Sequence, residues 1–243
     1  MRKIFSISKL LILEIFRKKD FYVAFVLTGL ILFYSARLRF YNASNAYRYL
    51  LDLGLFLSLF FASVLTVSLA ARQFPAEIHA RTCHVLLSKP VSRGEVVLGK
   101  FLGCFISGVA VLFLFFATLL AFSMTKTNDL SWVLAGQTFY LFCLSLMMLA
   151  SISIFFSFFM TTTSNISVTL ASFLVISLYG YRLRQGVGQL IPHFGFFDMR
   201  QRFIHGWDPI SSGLMGFLTF YALCYSALFL LAGWAVFRRK NIP

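Results

Sequence analysis

A succession of long apolar runs, separated by polar segments that include a loop expected at residues 37–49 and a tight turn expected at residues 161–165, limits this chain to very few folds. Residues 50–71, 96–124, 130–160 and 213–237 each reach the roughly 20 residues a helix needs to cross the hydrocarbon core of a bilayer. Residues 21–36 and 166–181 are shorter and cross if flanking side chains snorkel to the interface. The six runs contain only two charged residues, Asp52 and Lys100. In hydrocarbon every backbone N–H and C=O must be satisfied within the protein, so runs of this kind fold as helices. The expected fold class is an all-α integral membrane protein with six transmembrane helices, forming a single transmembrane domain over residues 1–243.

Composition supports that class. Of 243 residues, 59% are hydrophobic and 12% charged, against about 25% charged in soluble domains. The net charge of +14 therefore does not point to nucleic acid. The basic residues flank apolar runs, where they contact anionic lipid and set orientation. With six crossings both termini share a side. Fourteen Lys and Arg fall on that side and eight on the other, which places the termini and the 72–100 segment in the cytosol. Residues 1–20 lack a signal-peptide cleavage site. They put Lys3, Ser6, Lys9, Glu14 and Arg17 on one helical side and Ile4, Ile7, Leu11, Ile12, Ile15 and Phe16 on the other. This reads as an amphipathic interfacial helix, or as an extension of the first span. Cys83, Cys104, Cys143 and Cys224 are scattered and expected to be free thiols.

Residues 72–103 form the main polar insertion between apolar runs. A short amphipathic helix is expected over residues 76–88, with Ile78, Val85 and Leu86 on one face. Pro90 disfavours helix at Lys89 and ends it. Ser92-Arg93-Gly94-Glu95 has the S-x-x-E form of a capping box, so a new helix is expected to start at Arg93 and enter the membrane. Lys100, near its start, is expected to snorkel to the cytosolic surface.

Glu77, Arg81-Thr82, residues 86–93 and residues 98–103 resemble the permease subunit of ABC-2-type transporters, in particular the NosY-like group. The resemblance implies that residues 72–95 form a cytosolic coupling segment, whose 76–88 helix docks a separate ATPase subunit. Glu77, Arg81, Thr82, Leu86, Leu87, Lys89, Pro90 and Arg93 are its coupling residues. It implies an exporter in the bacterial cytoplasmic (inner) membrane whose ATP and Mg are bound by the partner, with no cofactor and no enzyme activity in this chain. Expected partners are cytosolic ABC ATPase subunits, a second permease copy or paralogue (homo- or heterodimer), membrane lipid and an extracytoplasmic accessory protein.

Two ladders of small residues mark close helix packing. Gly54, Ser58, Ala62, Thr66 and Ala70 recur along the second run, and Gly99, Gly103 and Ser107 along the third. They suit either packing within the subunit or a dimer seam. Residues 182–212 are unusually apolar for a loop and suggest a re-entrant extracytoplasmic segment. Phe194, Phe197, Asp198 and Arg202 are candidates for an outer gate, with Asp198 and Arg202 at i,i+4 spacing; a membrane-surface anchor is the other reading.

Gly94 to Phe101 nearly spells a phosphate loop, but Phe101 stands where the magnesium-binding hydroxyl belongs. His79, Cys83 and His84 fall short of a zinc site, and no metal is expected. A self-contained channel or secondary carrier would keep ionisable groups in mid-membrane; the runs lack them. A membrane-embedded lipid-modifying enzyme would need clustered His, Asp or Ser, and His193, Asp198 and His205 match no such motif.

Overall fold

The computed structural model describes residues 19–37, 43–79, 93–124, 131–179 and 192–239. Seven α-helices are described: α1 (Lys19–Arg37), α2 (Ala43–His79), α3 (Arg93–Met124), α4 (Trp132–Phe156), α5 (Thr162–Tyr179), α6 (Arg200–His205) and α7 (Ser212–Arg239). A 3-10 turn, Phe194–Phe197, precedes α6. No strand occurs among the described residues.

Four helices carry stretches long and apolar enough to cross a membrane: Arg48–Pro75, Gly94–Met124, Trp132–Phe156 and Ser212–Arg238. Tyr22–Ile31 and Thr162–Ser177 are shorter apolar helices. The segment at 1–18 lies outside the described residues.

The bundle is organised around α4. Its residues 144–154 are all buried, which a helix achieves only when neighbours cover it on every side. α2, α3, α5 and α7 do so. α7 lies at the rim and leaves Phe217, Phe220, Leu228 and Leu231 exposed. α1 packs against α2 and α3, with Phe25 and Phe115 ring centres 5.7 Å apart.

Several boundaries differ from the sequence reading, each for a local reason. Residues 43–49, expected as loop, begin α2; they contain no Gly or Pro, so nothing stops the helix. α2 then continues through Pro75 to His79, so residues 76–79 extend the membrane helix instead of starting a separate one. Pro75 leaves the Ala71 carbonyl without its helical donor, yet side chains brace this turn. Arg72 Nε donates to the Ser68 carbonyl at 3.0 Å, and Gln73 Nε2 donates to the Leu69 carbonyl at 3.1 Å. With 37 residues, α2 is about 55 Å long at 1.5 Å per residue, far more than a bilayer core requires.

The fourth run ends at Phe156, not Met160, and the turn lies at residues 157–161, not 161–165. Ser157 Oγ donates to the Ile154 carbonyl at 2.6 Å and Thr161 Oγ1 to Ser164 Oγ at 3.0 Å. Such local hydroxyl bonds compete with helix continuation. Asn165 accordingly belongs to the first turns of α5, not to a loop. At the other end of α4, Ser131 is the N-cap and accepts from the Leu134 amide. α3 does begin at Arg93; Ser92 lies outside the described residues.

Candidate functional site

Two regions at opposite ends of the bundle hold the chemistry. At one end α2 leaves the apolar zone at Pro75 and α3 returns at Arg93. Glu77 lies on the last described turn of α2 and Arg93 opens α3. Arg81, Thr82, Leu86, Leu87, Lys89 and Pro90 lie outside the described residues, as do Cys83 and His84.

Lys100 does not snorkel. It is 3% exposed; its Nζ donates to the Gln73 carbonyl at 2.8 Å and sits 4.2 Å from the Phe74 ring centre. Phe74 packs against Phe158 with tilted rings whose centres lie 4.2 Å apart, and Phe237 lies 5.5 Å from Phe74 and 5.6 Å from Phe158. One cation and three rings thus join α2, α3, α7 and the turn after α4. Hydropathy alone predicts an exit to water because it counts one charge. It cannot see an aromatic face and a carbonyl waiting on the neighbouring helix.

Between the two ends, Gly54, Ser58, Ala62, Thr66 and Ala70 are all buried, as are Gly99 and Gly103. The Ser58 hydroxyl donates to the Gly54 carbonyl at 2.7 Å, and Thr66 Oγ1 to the Ala62 carbonyl at 2.6 Å. The ladder therefore brings helices close without stranding those hydroxyls. A polar chain crosses the core beside it. Ser153 Oγ donates to the Val67 carbonyl at 3.4 Å, Asn165 Nδ2 to the Ser153 carbonyl at 2.8 Å, and Thr169 Oγ1 to Asn165 Oδ1 at 3.0 Å.

At the other end the segment from residue 192 folds back onto the bundle. Phe194, Phe197 and Met199 are buried; Phe194 meets Phe173 of α5 edge-on at 5.2 Å. The His193 amide donates to the Tyr221 hydroxyl at 3.0 Å. Gln137 of α4 clamps the Ile210 backbone twice, donating to its carbonyl and accepting from its amide, both at 2.9 Å. Gly206, at φ 62°, closes α6 in the left-handed conformation.

The predicted partner of Asp198 is not Arg202. Asp198 precedes α6 in extended backbone, so helical i,i+4 spacing does not apply. Its carboxylate accepts from the Arg200 amide at 3.1 Å and from Arg200 Nη2 at 2.7 Å. Arg202 instead donates to the Asp208 carbonyl at 3.2 Å. The Asp198 hydrogen bond raises the Arg200 guanidinium above its ordinary range; burial opposes this, and Asp52 adds to it. Arg200 also lies 5.6 Å from the Phe56 ring centre on α2.

This pair stands beside a cleft of about 100 Å³ between α2, α4, α5 and the 192–200 segment. Phe56, Phe60, Phe173, Phe194 and Phe197 line it, with Ser145 and Ser177 as hydroxyls and Asp198 and Arg200 as its charges. The structure thus gathers Phe194, Phe197 and Asp198 in one place, leaves Arg202 out, and adds Arg200, Phe56 and Phe173. An apolar pocket with one salt-bridged corner can hold an amphipathic molecule; its residues offer no nucleophile–base pair.

Residues 11–238 match the family model described as ABC-2 family transporter protein. The chain belongs to this family. No curated protein matches the chain significantly. This ABC-2 protein is a multi-pass membrane protein and the permease component of an ABC transporter. Members of the family form the membrane component of transport and are not themselves catalytic; they generally work with ABC ATPase partners.

Proposed function

We propose that this permease is the membrane subunit of a NosY-like exporter driven by a separate ATPase. All six apolar helices cross the membrane, with both termini and residues 76–93 in the cytosol of a bacterium. The ATPase, which binds ATP and Mg, docks on residues 76–88. The observation that carries this reading is the geometry around that segment: α2 runs without a break from the apolar zone into it, and α3 leads straight back. A force on residues 76–93 therefore acts on two membrane helices at once. The 192–211 segment, at the opposite end, is the outer gate, and the aromatic cleft beneath it lies on the substrate path. A second copy or a paralogue supplies the other half, and an extracytoplasmic accessory protein receives or presents cargo. Export as the direction rests on the likeness to NosY-like permeases.

Affinity purification of the tagged chain from its native membranes in mild detergent, followed by mass spectrometry, tests this. The expected result is an ABC ATPase recovered at about one copy per permease and lost when Glu77→Lys or Arg81→Glu is introduced. Recovery of the chain alone, in lipid that supports its folding, would overturn the subunit reading.

A further inference from the structure

Lys100 occupies a place that its charge does not favour. A buried ammonium loses its hydration, so it persists inside an apolar helix only when the protein supplies partners. Two of those partners are informative by position. The Gln73 carbonyl, 2.8 Å from Nζ, lies just before Pro75, where α2 leaves the apolar zone. Lys100 itself lies within two turns of Arg93, where α3 returns. The bond thus closes the base of the whole segment between α2 and α3. The ring beneath the ammonium, Phe74, touches Phe158 after α4 and Phe237 on α7. Next to this cluster, Gly94 and Gly233 admit Trp234 and Phe158 so closely that an added Cβ would lie 3.4 Å from the Trp234 ring and 3.1 Å from Phe158.

We propose that Lys100 is a positioning residue for transport: it clasps the exit of α2 to the start of α3, so that a displacement of residues 76–93 moves both helices and the Phe74–Phe158–Phe237 cluster as one body. This rests on the reading that an ATPase docks on that segment. The clasp stays closed through the cycle. Without it, α2 and α3 yield separately and the displacement dissipates at the cytosolic end.

The test uses the purified permease–ATPase complex in lipid nanodiscs, with Mg-ATP and vanadate to trap the closed ATPase. Hydrogen exchange of residues 192–211 is compared with that of residues 76–93. In the wild type trapping changes exchange in both. Lys100→Met keeps the length and apolar bulk of the side chain and removes the charge that burial disfavours. It is expected to retain the ATPase and the response at 76–93 and to lose the response at 192–211, with Lys100→Arg restoring it. An unchanged response at 192–211 in Lys100→Met, or none there in the wild type, would overturn the clasp. If Lys100→Met does not accumulate, Phe74→Leu, which removes the aromatic face, is measured in the same way, and a full response at 192–211 overturns the clasp. Purification of the wild type without any ATPase would instead sink the docking reading, and is seen before any variant is made.

Discussion

Gly108 of α3 lies directly against Thr66 of α2. A Cβ added at Gly108 would overlap Thr66 Oγ1 and lie 3.1 Å from Cγ2. Both residues are fully buried, and α2 and α3 form the most extensive helix pair in the bundle. With lipid outside as apolar as the protein inside, association of such helices depends on close van der Waals contact. Gly108→Ala should therefore push the helices apart and cost about 1–3 kcal/mol. Cys104 is fully buried one turn away, so its reaction with a maleimide dye on heating reports the loss. Thr66→Ala added to Gly108→Ala should recover much of it, because the overlapping Oγ1 and Cγ2 are gone. Equal melting of wild type and Gly108→Ala would show that the contact is not limiting.

Asn165 tests the polar chain through the core. Its Nδ2 holds the Ser153 carbonyl at 2.8 Å and its Oδ1 accepts from Thr169, linking α5 to the end of α4. Asn165→Leu removes both ends of the bridge and leaves the Thr169 hydroxyl without that acceptor. The expected destabilisation is about 1–2 kcal/mol, since hydrogen bonds between membrane helices are worth less than their burial suggests. Thr169→Val should cost less, because Asn165 keeps its bond to Ser153. The ranking of thermal midpoints in detergent decides this; a Thr169→Val that melts below Asn165→Leu would refute it.

Gln137 is matched to the Ile210 backbone in a way only a carboxamide can be. It presents a donor to the carbonyl and an acceptor to the amide of the same residue. Gln137→Glu keeps the shape but swaps the donor for a second acceptor facing a carbonyl. The strap between α6 and α7 should then exchange its amide hydrogens faster over residues 207–212, with about 1–2 kcal/mol lost locally. Gln137→Glu with wild-type protection at Ile210 would mean that the clamp does not hold the strap.

These residues show what a linear reading captures and what it does not. Apolar length marks a crossing whatever its neighbours, so four crossing-length stretches and the start of α3 at Arg93 were legible. The 54–70 ladder was legible as a close-packing face because small residues repeat at helical spacing. It did not point to Gly108, which matters through Thr66 on another helix. Helix ends are the least legible, because residues 43–49 and 162–165 carry loop-like side chains on helical backbone. Lys100 escapes a linear reading because a buried cation is decided by its partners, among them Gln73 and Phe74 from 26 or more positions away. Arg200 was missed for the opposite reason. Helical spacing favoured Arg202, but Asp198 sits before the helix and turns its carboxylate back onto the first residue within it.

The Asp198–Arg200 pair yields a prediction in which salt and pH act differently. The pair is partly exposed, at 26% and 29% for the two side chains, so it is screened and worth about 1 kcal/mol or less. High salt should therefore loosen the 192–200 segment to a measurable degree. A guanidinium raised above its ordinary range contributes stability that is fully present below its unfolded-state value and is lost only above that range. Arg200 should thus give no pH dependence between about pH 6 and 9. Asp198→Asn removes the ion pair and weakens the acceptor for the Arg200 amide, and Arg200→Leu removes the cation over Phe56. Both should raise hydrogen exchange over residues 194–203, and Asp198→Asn should abolish the salt sensitivity seen in the wild type. If 1 M KCl alters exchange in wild type and Asp198→Asn alike, the salt effect arises elsewhere and this pair does not close the cleft.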